Sequence, residues 1–216
     1  PRLSKSIGNA LYLKREDMQP VFSFKLRGAF NKIAQLSPEA RSSGVVAASA
    51  GNHAQGVAVA AAHFGCEATI FMPESTPSIK VEAVRELGGT ARLEGQNFDA
   101  AKAAALAFAE ANSLAFVHPF DDMDVIAGQG TVGMELLRQL DGNVDAIFVC
   151  VGGGGLIAGI SSYVKTLMPD TMVIGVEPAD SPTLQQALLA GEPVELEHVG
   201  LFADGASVRR IGDNTF

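Results

Sequence analysis

A lysine, a glycine run and a serine-to-glutamine turn are the parts of this chain with the means to do chemistry. The lysine is Lys25, in Ser23-Phe24-Lys25-Leu26-Arg27-Gly28-Ala29. Most lysines are solvated surface charges. One buried beside aromatic surface loses solvation, its amine pKa falls, and it becomes a base or nucleophile near neutral pH. Phe22 and Phe24 are expected to supply that surface. The glycine run is Gly152-Gly153-Gly154-Gly155, followed by Leu156 and preceded by the apolar stretch Ala146–Val151. Glycines at a strand-to-helix turn let backbone N–H groups converge on an anion, and the helix N-terminus adds partial positive charge. A plain tight turn is the alternative. No lysine follows at P-loop spacing, the run is not Gly-x-Gly-x-x-Gly, and no acidic residue follows at the ribose-binding distance. The third stretch is Ser49-Ala50-Gly51-Asn52-His53-Ala54-Gln55-Gly56. Amides at such a helix start suit a carboxylate. His53 reads as a packed histidine bonded to backbone rather than an acid or base. His63, His118 and His198 form no constellation and read as structural.

The elements around these stretches alternate. Short apolar or β-branched runs at Val45–Ala48, Ala68–Met72, Ala146–Val151 and Met172–Val176 read as strands, the third of them buried. Helical patterns lie at Asn52–Phe64, Ser78–Leu87, Phe98–Asn112, Ala127–Leu140 and Leu156–Leu167. Helices of this length between short strands predict βαβ units and parallel sheets, an α/β fold. Pro73, Pro77, Gly88-Gly89 and His118-Pro119 punctuate the loops. Ser23 is placed as a helix cap or supporting donor, and Arg27 and Gly28 as structural residues of the helix that follows Lys25.

Composition excludes several classes. The net charge is -8 and no Lys/Arg cluster offsets it, which argues against a nucleic-acid partner. No apolar run reaches the ~18 residues that cross a bilayer, and no signal peptide is seen. Cys66 and Cys150 each sit beside apolar residues and are expected to be buried free thiols of a reducing compartment. The chain begins at Pro1 without an initiator Met and stops at Phe216, so it is expected to be a piece of a longer protein.

Taken together, in this order and spacing, the lysine, asparagine and glycine motifs resemble the fold-type II family of pyridoxal-phosphate enzymes. The likeness is to the threonine/serine dehydratases (ammonia-lyases). It runs from Lys14-Arg15-Glu16-Asp17 to Ala203-Asp204-Gly205. The resemblance implies the tryptophan synthase beta-like fold: two parallel-sheet domains with pyridoxal 5'-phosphate in the cleft. The small domain would be residues 45–121. The large one would comprise 1–44 and 122–216 and be incomplete. Lys25 would be the Schiff-base lysine and catalytic base, with Phe24 against one face of the cofactor ring. Asn52 would bond the cofactor's 3'-oxygen. Gly152, Gly153, Gly154, Gly155 and the Leu156 amide would hold its phosphate. Ser49, Ala50, Gly51, Asn52 and His53 would face the substrate. A serine that bonds the pyridine nitrogen in the family would lie beyond Phe216.

The implied reaction removes the α-proton of L-threonine or L-serine, expels the β-hydroxyl, and ends in a 2-oxo acid and ammonia. A role in isoleucine biosynthesis, a cytoplasmic location and a homo-oligomer at full length follow from the same resemblance. Ala50 bears on reaction choice, because serine racemases carry a serine there that protonates the opposite face of Cα. Glu177-Pro178 matches a position where some members bind a divalent metal, but the further ligand, an acid, is Thr183 here, so no such divalent site is expected, and a monovalent ion stays open. Two other classes remain open at this level: a racemase, and a catalytically silent module that binds phosphate or cofactor.

Overall fold

Val45-Val46-Ala47-Ala48 is apolar at every position, as a strand covered on both faces must be. It forms an inner strand of a parallel sheet in a layered α/β architecture. The computed structural model describes residues 2–140, 144–200 and 202–216. In chain order it comprises α1 (Arg2–Ile7), a 3-10 turn at Glu16–Met18, α2 (Lys25–Gln35), α3 (Pro38–Ser43), β1 (Val45–Ala48) and α4 (Asn52–His63). There follow β2 (Ala68–Met72), α5 (Ser78–Glu86), β3 (Thr90–Leu93), α6 (Phe98–Ala111), β4 (Ala115–Phe116) and α7 (Met123–Gln139). The chain closes with β5 (Ala146–Cys150), α8 (Gly155–Leu167), β6 (Met172–Val176) and α9 (Thr183–Ala190).

Two parallel sheets result, one of four strands in the order β3-β2-β1-β4 and one pairing β5 with β6. Alternation along β1 and β2 divides the core of the first sheet. Val45, Ala47, Ile70 and Met72 pack on one side with Val57 and Ala61 of α4, Val84 of α5 and Ile33 of α2. Val46, Ala48 and Phe71 pack on the other with Ala105 and Ala109 of α6. In the second sheet Ile147 and Val149 meet Ile157, Ile160 and Val164 of α8 and Val132 of α7. Helix α2 therefore lies between the systems, against α4 on one side and α7 on the other, and α7 in turn packs on α8.

The second sheet corrects two expectations. The stretch ending at Val151 is not a strand buried on both faces, because burial alternates along β5 and Phe148 is 66% exposed. Cys150 lies on the same open face and is exposed, while Cys66 is buried. Among the described residues helices cover one face of this two-stranded sheet only. Helix α7 also starts earlier than its apolar pattern, at Met123, because Asp122 Oδ1 accepts from the N–H groups of Asp124 and Val125 and caps it. No helix among the described residues is long and apolar enough to cross a membrane.

Candidate active site

Lys25 is the first residue of α2. The serine two residues earlier shapes its approach: Ser23 Oγ accepts from the Lys25 N–H at 3.2 Å. The side chain keeps some surface open to a cavity, but its amine sits in densely packed protein. There Nζ donates to the Pro119 carbonyl oxygen at 2.6 Å. Burial pushes the amine down from its ordinary 10.5 to about 8. An aromatic ring beside the amine is that of Phe24, whose centroid is 5.5 Å from Nζ. Phe22 does not contribute as expected: it is 75% exposed and turns outward with φ at +54°.

The glycine run forms the turn between β5 and α8. Its carbonyls are tied from behind. Gly152 O accepts from Thr183 Oγ1 at 3.1 Å, and Gly153 O accepts from Thr215 Oγ1 at 2.7 Å and from the Gly212 N–H at 3.2 Å. Gly154 adopts φ +91°, which an L side chain resists. Gly155 opens α8. Among the described residues no protein oxygen accepts from the amides of Gly152 to Leu156, so these donors face outward from a fixed turn. That is the donor set a phosphate needs.

The third motif lies across the same cavity. The Ser49 N–H donates to Phe71 O at 3.0 Å, and Ser49 Oγ accepts from the Gly51 N–H at 3.1 Å. Space beside Gly51 is open. Ala50 packs against the core of the first sheet. Asn52 starts α4 and lines the cavity. His53 points away from it: buried, it donates from Nε2 to Val117 O at 2.9 Å, and Nδ1 has no partner. Burial, then the charge of Lys25, lowers its pKa to about 3, so its ring is neutral. Gly56, one turn into α4, lets that helix approach the start of α2, since a Cβ there would lie 3.1 Å from Leu26 N.

A cavity of about 330 Å³ thus brings together Phe24, Lys25, Asn52 and Gly152 to Leu156. Ser49, Ala50 and Gly51 form the turn before Asn52, and they and His53 are not among its lining residues. Pro119, Phe120, Gln129, Cys150 and Val151 at the end of β5, and Ala203–Ala206 complete the wall. Two sequence signals touched this wall, the His118-Pro119 loop and Ala203-Asp204-Gly205, where the family likeness ends; nothing pointed to Phe120, Gln129 or Ala206. Gln129 is buried with its Oε1 accepting from the Gly28 N–H at 3.2 Å. Glu177 is engaged elsewhere: its carboxylate caps α9, accepting from the N–H groups of Leu184 and Gln185 at 2.7 and 3.0 Å. An amine of lowered pKa opposite free backbone amides at a helix start fits a ligand with both a carbonyl carbon and a phosphate.

Comparison with known proteins gives the same reading. The chain is 59% identical over 215 residues to the L-threonine dehydratase biosynthetic IlvA of Pasteurella multocida, covering 100% of this chain and 42% of that protein. It therefore spans about two fifths of that relative's length. Among solved structures, the processed form of threonine deaminase isoform 2 from Solanum lycopersicum superposes with a TM-score of 0.97 at 50% identity, covering 99% of this chain and 62% of that one. Serine racemase from Dictyostelium discoideum superposes with a TM-score of 0.92 at 36% identity, covering 100% and 68%. Residues 1–216, the whole sequence, match the family described as pyridoxal-phosphate dependent enzyme, and the chain belongs to that family.

Proposed function

We propose that this chain is the catalytic part of a pyridoxal-phosphate-dependent threonine ammonia-lyase, which converts L-threonine, and L-serine, to a 2-oxo acid and ammonia. The observation that carries the reading is Lys25: its amine, lowered to about 8, shares one cavity with the outward amides of the glycine turn. Lys25 would hold the cofactor covalently, Phe24 would flank its ring, Asn52 would meet its 3'-oxygen, and the amides of Gly152 to Leu156 would hold its phosphate. When bound, the cofactor supplies an electron sink for the charge left on Cα after proton removal.

This chain's residues supply the rest. Lys25 Nζ, neutral in an appreciable fraction near pH 8, takes the α-proton. The turn Ser49-Ala50-Gly51 and the first amides of α4 present donors and partial positive charge to the substrate carboxylate. The packed walls of α2, α7 and α8 narrow the access of water to the amine. The domain division at 45–121 against 1–44 and 122–216 is supported by the sheets, since β1 to β4 fall within the first range and β5 and β6 within the second. The word "biosynthetic" in the relative's name supports a place in isoleucine formation. A cytoplasmic location and a homo-oligomer at full length complete the reading.

Borohydride reduction of the cofactor-loaded protein, followed by peptide mapping, tests the assignment. The cofactor should be recovered on Lys25, and recovery on Lys14, Lys32 or Lys80 would sink it. A racemase is the second reading, favoured by the Dictyostelium structure. Ala50 has no proton to give to the opposite face of Cα. Chiral chromatography should therefore find negligible D-serine from the unchanged protein and a measurable rise in Ala50→Ser.

A further inference from the structure

The turn after β4 has no role in the reading above, yet every residue from Val117 to Asp121 takes part in a hydrogen bond. Val117 N donates to Val46 O at 2.8 Å, and Val117 O accepts from His53 Nε2 at 2.9 Å. His118 Nδ1 accepts from the N–H groups of Phe120 and Asp121, at 3.3 and 2.8 Å. The Asp121 carboxylate accepts from the N–H groups of Asp213 and Asn214 at 3.2 and 2.8 Å. Pro119 sits in the middle with no N–H of its own to compete for the His118 acceptor. Its carbonyl is thereby fixed toward the start of α2, where it accepts from Lys25 Nζ at 2.6 Å.

We propose that this turn is a seat for the Lys25 amine: the Pro119 carbonyl holds the nitrogen by one N–H, and His118 is the positioning residue that fixes that carbonyl. The proposal rests on the reading of Lys25 as the reactive amine. A lysine stem has four rotatable bonds, and one short hydrogen bond to a rigid acceptor removes most of that freedom. With one N–H engaged, the remaining valences of the nitrogen are directed away from the turn. The choice of acceptor matters. A carboxylate in this place would hold the amine in its charged form. A carbonyl dipole gives direction while leaving the proton removable. The groups around Nζ agree with this. His53 of α4 and His118 of the turn are both neutral, lowered by burial to about 3 and about 4. The Phe24 ring closes another side, and no ion pair to Lys25 occurs among the described residues. The His118 ring is itself held edge-on to Phe116 and Phe120, with centroids at 6.1 and 4.8 Å.

The test is pulse labelling of the cofactor-free protein with acetic anhydride from neutral to alkaline pH. Peptide mass spectrometry reads Lys25 against exposed Lys5. His118→Phe keeps a ring between Phe116 and Phe120 but removes the acceptor. In His118→Asn, Oδ1 can take the same two N–H groups as an Asx turn. In the unchanged protein the Lys25 midpoint should lie well below that of Lys5. In His118→Phe it should fall further, by about one pH unit, because a buried ammonium has lost its acceptor. His118→Asn should restore the original midpoint. His118→Ala carries the same expectation as His118→Phe and serves where the phenyl ring is not accommodated. An unmoved midpoint in the Phe and Ala variants, a rise toward Lys5, or an equal shift in the Asn variant overturns the seat. If Lys25 titrates with Lys5 in the unchanged protein, the reading of Lys25 as the reactive amine falls instead.

Discussion

Replacing Arg27 by Met tests how firmly the helix that carries Lys25 is held. The Arg27 guanidinium forms paired hydrogen bonds to Glu16, at 2.7 and 2.8 Å, and to Glu135 of α7, at 2.7 and 2.9 Å, and a fifth bond to Thr131 Oγ1 at 2.9 Å. Its side chain is only 12% exposed. Lys14 joins the group through Glu135 at 2.5 Å. Hydrogen bonds from Arg27, then from Lys14, lower the Glu135 carboxyl from its ordinary 4.5 to about 2. Each pKa unit corresponds to ~1.4 kcal/mol. Because the Glu135 side chain is 34% exposed, solvent screening takes roughly half of that stabilisation, and Lys14 retains a share. Glu16, only 14% exposed, loses its partner as well. A net loss of about 2–3 kcal/mol at pH 7 follows.

The pH dependence has a definite sign. A carboxyl lowered on folding contributes stability above its unfolded pKa, and that contribution is lost as pH falls from about 4.5 toward about 2. Urea unfolding at neutral pH and across that acid window should show Arg27→Met less stable at neutral pH, with a shallower acid slope. A variant that loses under ~1 kcal/mol, or keeps the full acid slope, would refute the argument that Arg27 anchors this group.

Three further outcomes follow from the geometry. Gly56→Ala should weaken cofactor binding at least severalfold in spectroscopic titration and cost about 1–2 kcal/mol, because its Cβ would meet Lys25 C and Leu26 N at 3.1 Å and spread α4 from α2. Phe22→Asn should stabilise the protein by about 0.5–1 kcal/mol in thermal unfolding, since Phe22 holds φ +54° with its ring largely in solvent and Asn tolerates that region better. Gly154→Asp should raise the dissociation constant for pyridoxal phosphate by at least tenfold, as it puts a negative charge and a strained φ of +91° into the turn; an unchanged constant would show that the turn serves something else.

Much of this was legible before the fold. Strands β1, β2 and β6 have the bounds their apolar runs predict, because such runs between turn residues have few other ways to bury themselves. Strand β3 was not legible: Thr90-Ala91-Arg92-Leu93 lies at a sheet edge, mostly exposed, and carries no apolar pattern. Strand β4, with two residues, is too short to leave one. In the cavity, Lys25, Asn52 and the glycine run announced themselves by motif. Phe120, Gln129 and Ala206 did not, because they reach the wall through long-range packing of loops and a helix face. The misreading of Phe22 has a simple cause. Neighbouring residues in sequence share an environment only if the backbone keeps its ordinary hand, and here it does not.

The seams between α2, α7 and α8 have a consequence for dimensional tolerance. A Cβ on Gly130 of α7 would stand 3.0 Å from Gly159 O of α8, and one on Gly128 would stand 2.7 Å from the Cα of Gly28 in α2. At those points backbone rests on backbone. The gap between the helix that carries the amine and the helix that opens at the glycine turn is therefore set by van der Waals radii rather than by the volumes of side chains. Side chains vary among relatives and switch rotamers with temperature, whereas backbone contact behaves as a hard stop. The two ends of the cavity are gauged against each other through α7, so their separation should stay constant while the surrounding core is free to drift in composition.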